Sequence, residues 1–340
     1  MMGRLLVLCC VLWSLPGRAE QKADEKPIDL DTVLNLRQPA TTVFDGHILQ
    51  VAASGTVRAW RIADLKQDPE FVRALNSHEM MLLAADATTL YGSDLKEVFR
   101  WNAAEKSWAV VGSVAKVDKD PIQQLVATDV GPVLFRELTV EDVAGKRLIK
   151  IPPPKKQKTA VRMRALALHA VGGQLWFGTG YGEWGGELVG VNLKTGTWSR
   201  YWDDLHYVTG ITHDSAGKLW VGWSMSHFNS RMMLRSHGPD AKVLQAFPRQ
   251  NDHYLQQIAW DATTQRLYCV DQQSVAWLKE GVAQEIAPLG DLPFSNEPNA
   301  VGVAPGVSDM MALGEGRVLI VPPLGRPRVF AGGRVTVLSL

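Results

Sequence analysis

Two histidines stand 44 residues apart in matching surroundings. His169-Ala-Val-Gly-Gly-Gln-Leu-Trp-Phe-Gly178 and His213-Asp-Ser-Ala-Gly-Lys-Leu-Trp-Val-Gly222 align without a gap. Neutral imidazole nitrogens ligate divalent metals, so His169 and His213 form a candidate metal site. With acidic residues near a channel, the chemistry would be metal-assisted hydrolysis or elimination. In the plainer alternative they are hydrogen-bonding side chains that recur because the repeat recurs. No cofactor is otherwise expected.

A second group suits recognition and not catalysis. Tyr181, Glu183 and Trp184 lie in Gly180–Gly186, and His227, Phe228 and Asn229 lie in Ser224–Ser230. Asp203, His206 and Tyr207 sit in the linker Asp203–Tyr207, and His253 ends the stretch Gln250–His253. Each stretch is too long for a minimal hairpin. Aromatics beside polar groups, on loops held by a rigid frame, are the usual carriers of binding.

Several apparent motifs lack the context their chemistry needs. Gly180-Tyr-Gly-Glu-Trp-Gly185 fits the dinucleotide fingerprint, but a strand follows it where a helix N-terminus must hold the pyrophosphate. Ser215-Ala-Gly-Lys218 has nucleophile-and-lysine spacing, yet it reads as a tight turn between strands. His78-Glu79 has no second histidine one helical turn on. There is no Gly-x-Ser-x-Gly and no calcium loop.

The elements that position these residues repeat. Leu175-Trp176 and Leu219-Trp220 recur as Leu90-Tyr91 and Leu267-Tyr268. The turn before them recurs as Asp86-Ala-Thr-Thr89 and Asp261-Ala-Thr-Thr264. A period near 45 residues, with short apolar runs split by Gly, Asn, Asp or Ser, predicts blades of a β-propeller. Seven antiparallel four-stranded units fit residues 41–340, near 41–76, 79–114, 122–152, 161–202, 207–248, 254–288 and 298–340. In the fifth, strands are expected over Val208–His213, Leu219–Trp223, Arg231–Arg235 and Val243–Phe247. Side chains alternate across a strand, so Leu90, Leu175, Leu219 and Leu267 should face one neighbouring blade and the adjoining aromatics the other. Asp86, Asp214 and Asp261 read as turn formers whose carboxylates accept backbone N–H groups. Helix is expected only as one turn within Asp64–Ser77.

Residues 1–19 read as a signal peptide: Arg4, the apolar stretch Leu5–Leu15, then Gly17-Arg18-Ala19 at the cleavage position. Residues 20–40 form an N-terminal segment, in which Leu30–Leu36 is expected to close the last blade from outside. No later stretch is long and apolar enough to span a bilayer. Losing the leader removes Cys9 and Cys10, so only Cys269 remains and no internal disulfide can form. Its spacing places Cys269 in the core. Losing Arg4 and Arg18 lowers the basic residues from 36 to 34 against 35 acidic, which argues against nucleic acid as a partner. The basic run Lys150–Arg164, around three prolines, reads as a stiff solvated linker.

Val208-Thr-Gly-Ile-Thr-His-Asp-Ser-Ala-Gly-Lys-Leu-Trp-Val-Gly222 resembles the repeat of the two-component-regulator propellers, periplasmic sensor portions of some hybrid histidine kinases. The likeness is best over residues 161–222. It implies the propeller fold and binding on one face. The expected protein is a monomeric, periplasmic or secreted binding module for a protein, glycan or small molecule, acting through the loops of the fourth and fifth blades. The alternative is a metal-assisted hydrolase or lyase with its site in the central channel.

Overall fold

The computed structural model describes residues 40–339, except 53, 118–119, 138, 153–164, 180–185, 206, 225–231, 238–242, 246–254, 272–273, 280–281, 289–308 and 323–325. The described residues form a β-propeller of antiparallel sheets whose strands follow one another in chain order. The signal peptide expected at residues 1–19 and the strand expected at Leu30–Leu36 both lie outside the described residues.

Six sheets have four strands. The first has three: β1 (Thr41–Phe44), β2 (His47–Val51) and β3 (Val57–Arg61). Seven four-stranded blades were expected, so the first unit departs from the pattern. Its chain leaves β3, makes a single bridge between Trp60 and Gln67, and then reaches Asp68-Pro69. Proline cannot donate to a strand ladder but suits the first turn of a helix. The Asp68 carboxylate accepts the Phe71 N–H at 3.0 Å and caps helix α1 (Pro69–Leu75). This seven-residue helix, about two turns long, exceeds the one turn expected. It buries Leu75 between the first and second sheets, and the Trp108 indole N–H donates to Leu75 O at 2.9 Å.

Seven hydrophobic clusters account for the ring, one between each pair of neighbouring sheets. The alternation expected along the second strands holds. Leu90 packs with Leu49 of the preceding sheet, whereas Tyr91 packs with Leu125 and Leu134 of the next. Leu175 packs with Phe135 behind it and Trp176 with Val208 ahead. Leu219 and Trp220, then Leu267 and Tyr268, divide in the same way. Each aromatic withdraws on the order of 150–250 Å² from water, worth about 4–6 kcal/mol before the entropy of ordering it.

The ring closes by packing of the first sheet on the last. Ile48 and Trp60 meet Leu319, Val321, Val329 and Leu338. The Trp60 indole N–H donates to Ser339 O at 2.7 Å, and Arg317 Nη1 donates to Ile62 O at 3.1 Å. The first strands of successive sheets contact one another around the ring and are therefore innermost.

Candidate functional site

His169 lies on β12 (Ala165–Val171), the first strand of the fourth blade, and His213 ends β16 (Tyr207–His213), the first strand of the fifth. Their sequence environments are superimposable, but their hairpins differ. β12 turns into β13 (Gln174–Thr179) through Gly172-Gly173, both at positive φ (58° and 75°), and Val171 pairs with Gln174. β16 turns into β17 (Leu219–Ser224) through Ser215-Ala216-Gly217, with Gly217 at φ 78° and Asp214 N–H bonded to Lys218 O at 3.0 Å. The extra loop residue shifts the pairing by one: His169 opposes Trp176, but His213 opposes Leu219.

A one-residue offset sends a side chain to the other face of its sheet. His169 shares the side of Ala167, which faces the fifth blade, and His213 the side of Ile211, which faces the fourth. The two rings therefore meet. His169 Nε2 and His213 Nδ1 are 2.7 Å apart, with ring centroids 4.9 Å apart and planes at 43°. Both are half-buried. Burial, and then the neighbouring His213, pushes the His169 pKa down to about 4. At neutral pH this is an N–H···N bond that one proton satisfies. Among the described residues no group of three or more His, Cys, Asp or Glu side chains gathers around a common point.

The other predicted site residues fall into two sets. Asp203 and Tyr207 were expected on a loop, but Asp203 lies within β15 (Trp198–Leu205) and Tyr207 opens β16. Leu205 pairs with Gly186 and Tyr207 with Ser224, so the backbone of this stretch belongs to two ladders. Register shifts flanking Leu188 accommodate the longer β15. Tyr181, Glu183, Trp184, His206, His227, Phe228, Asn229 and His253 lie outside the described residues.

The described strands on either side of two of these segments end on one face. Residues 180–185 join β13 to β14 (Gly186–Asn192), and 225–231 join β17 to β18 (Met232–His237). Strand direction alternates, so second-to-third-strand connections and the connections between blades leave from one face. The His169–His213 pair lies toward the first-to-second-strand turns, at the opposite end.

At the stem of residues 180–185, Glu187 is buried and its Oε2 accepts from Arg200 Nε at 2.7 Å. Arg200 also donates to Pro152 O and lies 4.9 Å over the Trp198 ring. Glu187 Oε1 and the neighbouring Thr179 Oγ1 are buried and, among the described residues, have no hydrogen-bond partner. Thr179 and Glu187 stand one residue beyond the last paired residues, Gly178 and Leu188, and so lie side by side.

The turn face is laced together. The Asp86, Asp214 and Asp261 carboxylates accept backbone N–H groups of their own turns, as expected. Asp261 Oδ2 also takes Gly316 N–H at 2.7 Å, and Asp129 Oδ1 takes Gly173 N–H at 2.8 Å, each from the next blade. Ser215 is a turn residue whose Oγ accepts from Trp260 Nε1 and Gln265 Nε2. Cys269 is wholly buried, which pushes its thiol far above the usual range.

Sequence reasoning passed over one charged cluster on the loop face: Asp120, Arg136 and Glu141, all buried. Its only sequence signal was Arg136 inside the apolar stretch from Val133 to Val140, with Glu141 just beyond it.

No protein-family model matches the chain, and no curated protein matches it. Solved structures do. Kuenenia stuttgartiensis hydrazine synthase superposes with a TM-score of 0.57 at 11% identity, covering 95% of this chain and 99% of that one. The β-propeller domain of Myceliophteria thermophila Cps50 (Swd1) gives 0.54 at 10% identity, with 89% and 96% covered. The extracellular domain of a putative one component system from B. thetaiotaomicron gives 0.38 at 10% identity, with 85% and 51% covered, too loose a match to bear on function. Identities this low establish a shared propeller fold. The resemblance of Val208–Gly222 to the two-component-regulator repeat stands as a likeness of fold.

Proposed function

We propose that the protein is an exported binding module that captures a ligand or envelope partner through the loop face of its fourth and fifth blades. The observation that carries this reading is the pair of buried atoms without a hydrogen-bond partner among the described residues, Thr179 Oγ1 and Glu187 Oε1, at the stem of the segment holding Tyr181, Glu183 and Trp184. A buried carboxylate oxygen without a donor is costly, so such a position suits a hydrogen bond supplied from outside. The laced turns hold the opposite face fixed, leaving the loop face as the one with segments long enough to grip a partner. A leader at residues 1–19 supports export to the periplasm or beyond. Among the described residues no helix is long and apolar enough to cross a membrane.

The test is affinity capture from the native cell envelope, read by mass spectrometry. Replacing Tyr181, Trp184 and His227 together by Ala should abolish capture while the melting temperature is unchanged. Undiminished capture by the triple variant rejects the site.

A second reading rests on the contact between His169 and His213: a divalent metal replacing their shared proton, in a hydrolase or lyase. Zinc binds imidazole nitrogen at about 2.0–2.1 Å, so the rings would part from 2.7 Å to an N···N distance of about 3.3 Å. Water or a substrate would complete the coordination. Zinc that raises the melting temperature of the wild type but not of His169→Ala would support it. No bound metal, and no response to EDTA or zinc, removes it.

A further inference from the structure

We infer that the loop face carries a separate site, between the second and third blades, for a small organic anion with an apolar body. A cleft of about 490 Å³ opens there, within the range of small-ligand sites. Its lining is mostly apolar and includes Leu95, Val114, Val117, Pro121 and Ile122. Three of its lining residues are basic (Lys96, Lys116 and Arg136) and one is acidic, Asp120.

Those charges differ in availability. The Arg136 guanidinium is spent on the wall: Nε and Nη2 both reach Glu141 Oε2, at 3.2 and 2.7 Å, Nη1 donates to Asp120 O at 3.1 Å and Nη2 to Ala115 O at 2.7 Å. Glu141 Oε1 in turn accepts the Ala115 N–H at 2.7 Å, and Asp120 Oδ2 accepts the Thr139 hydroxyl at 2.6 Å. One buried pair therefore cancels its own charge while pinning residues 115 and 120 to the third blade. What remains is the buried Asp120 carboxylate, held by Thr139, against two exposed lysines, Lys96 from the turn before β6 (Glu97–Asn102) and Lys116 from the linker, so the balance is positive. Among the described residues neither ammonium has an ion-pair partner.

Two ammonium groups beside an apolar lining select an anion with a hydrocarbon body. A carboxylate or sulfonate placed between Lys96 and Lys116 gains charge-assisted hydrogen bonds. Its apolar tail displaces water from Val114, Val117 and Ile122. A cation of the same shape would meet like charge, and an anion without a tail would leave the apolar lining wet. The walls are fixed by the Arg136 bonds, so little ordering is needed on binding.

The experiment is isothermal titration of the full protein at low salt with butanoate, hexanoate and octanoate, and with octyltrimethylammonium as the charge-reversed control. The inference expects saturable one-to-one binding of octanoate, tightening about two- to four-fold per added methylene, and no binding of the cation. K96E/K116E, altering only exposed side chains, should weaken octanoate at least about ten-fold with an unchanged melting temperature. Three results each overturn it: no octanoate binding up to about 10 mM, equal binding of the cation, or undiminished binding by the double variant. None of these bears on the loops of the fourth and fifth blades, so this site and the proposed one fail independently.

Discussion

The rings of His169 and His213 touch, Nε2 to Nδ1 at 2.7 Å, because the hairpin after His213 has one more loop residue than the hairpin after His169. Two copies of one motif are thereby turned toward each other across the boundary between the fourth and fifth blades. The contact is a consequence of register, and several properties of the molecule depend on registers of this kind.

Stability should fall with acid through this pair. The folded-state pKa of His169, about 4, lies below the ordinary value near 6.5. Between those values the unfolded chain binds a proton that the folded chain refuses, so stability rises with pH there. The contribution is complete above about pH 6.5 and lost as pH falls toward 4. It is on the order of 2 kcal/mol, less than the full shift implies, because the site is half open to solvent. Urea unfolding of wild type and His169→Asn at pH 7, 5.5 and 4.5 measures it. The wild type should lose stability more steeply, and parallel losses would contradict the assignment.

The buried Arg136–Glu141 pair should be worth most when broken on one side. Glu141→Gln leaves the Arg136 guanidinium buried without its counter-charge, at a cost of about 3–5 kcal/mol. Replacing both residues, by Met and Leu, should recover most of that loss. Denaturation midpoints of the two single variants and the double variant give the coupling. Additive losses would mean that the pair does not act as a unit.

Ring closure should be sensitive at the chain's far end. Leu338 is almost wholly buried against Trp60 and the last sheet, so Leu338→Ala should cost about 2–4 kcal/mol. Trp60→Phe keeps an aromatic ring but loses the bond to Ser339 O, at about 1 kcal/mol. Both should shift tryptophan fluorescence and far-UV dichroism transitions together. Separate transitions would show that the first and last sheets unfold as independent units.

Much of the architecture was legible because mutual coverage of the sheets imposes a pattern. A second strand needs one side chain for each neighbour, and Leu followed by Trp or Tyr records that need four times. The fifth blade shows the limit of boundaries: its first two strands extend to Tyr207 and Ser224, one residue beyond the expected ends. The first unit has three strands and not the four expected, because the helical turn expected within Asp64–Ser77 grows into a full helix from Asp68-Pro69 and occupies the stretch a fourth strand would need. The Asp203–Tyr207 stretch is expected as a linker between blades, yet Trp198–Leu205 stays in its ladder through register shifts in its pairing with β14. The histidines were legible as residue types, but their contact was not. It depends on hairpin pairing that an ungapped alignment cannot express, and on packing between strands 44 residues apart.

The packing of blade against blade is tested most directly at this pair, by nitrogen-15 NMR of the histidine side chains across pH. His169 should stay neutral until about pH 4, with a scalar coupling across the hydrogen bond joining its Nε2 to Nδ1 of His213. A His169 that titrates near 6.5 with no such coupling would mean that the two rings do not meet, and that the facing sides of the fourth and fifth blades are not those described.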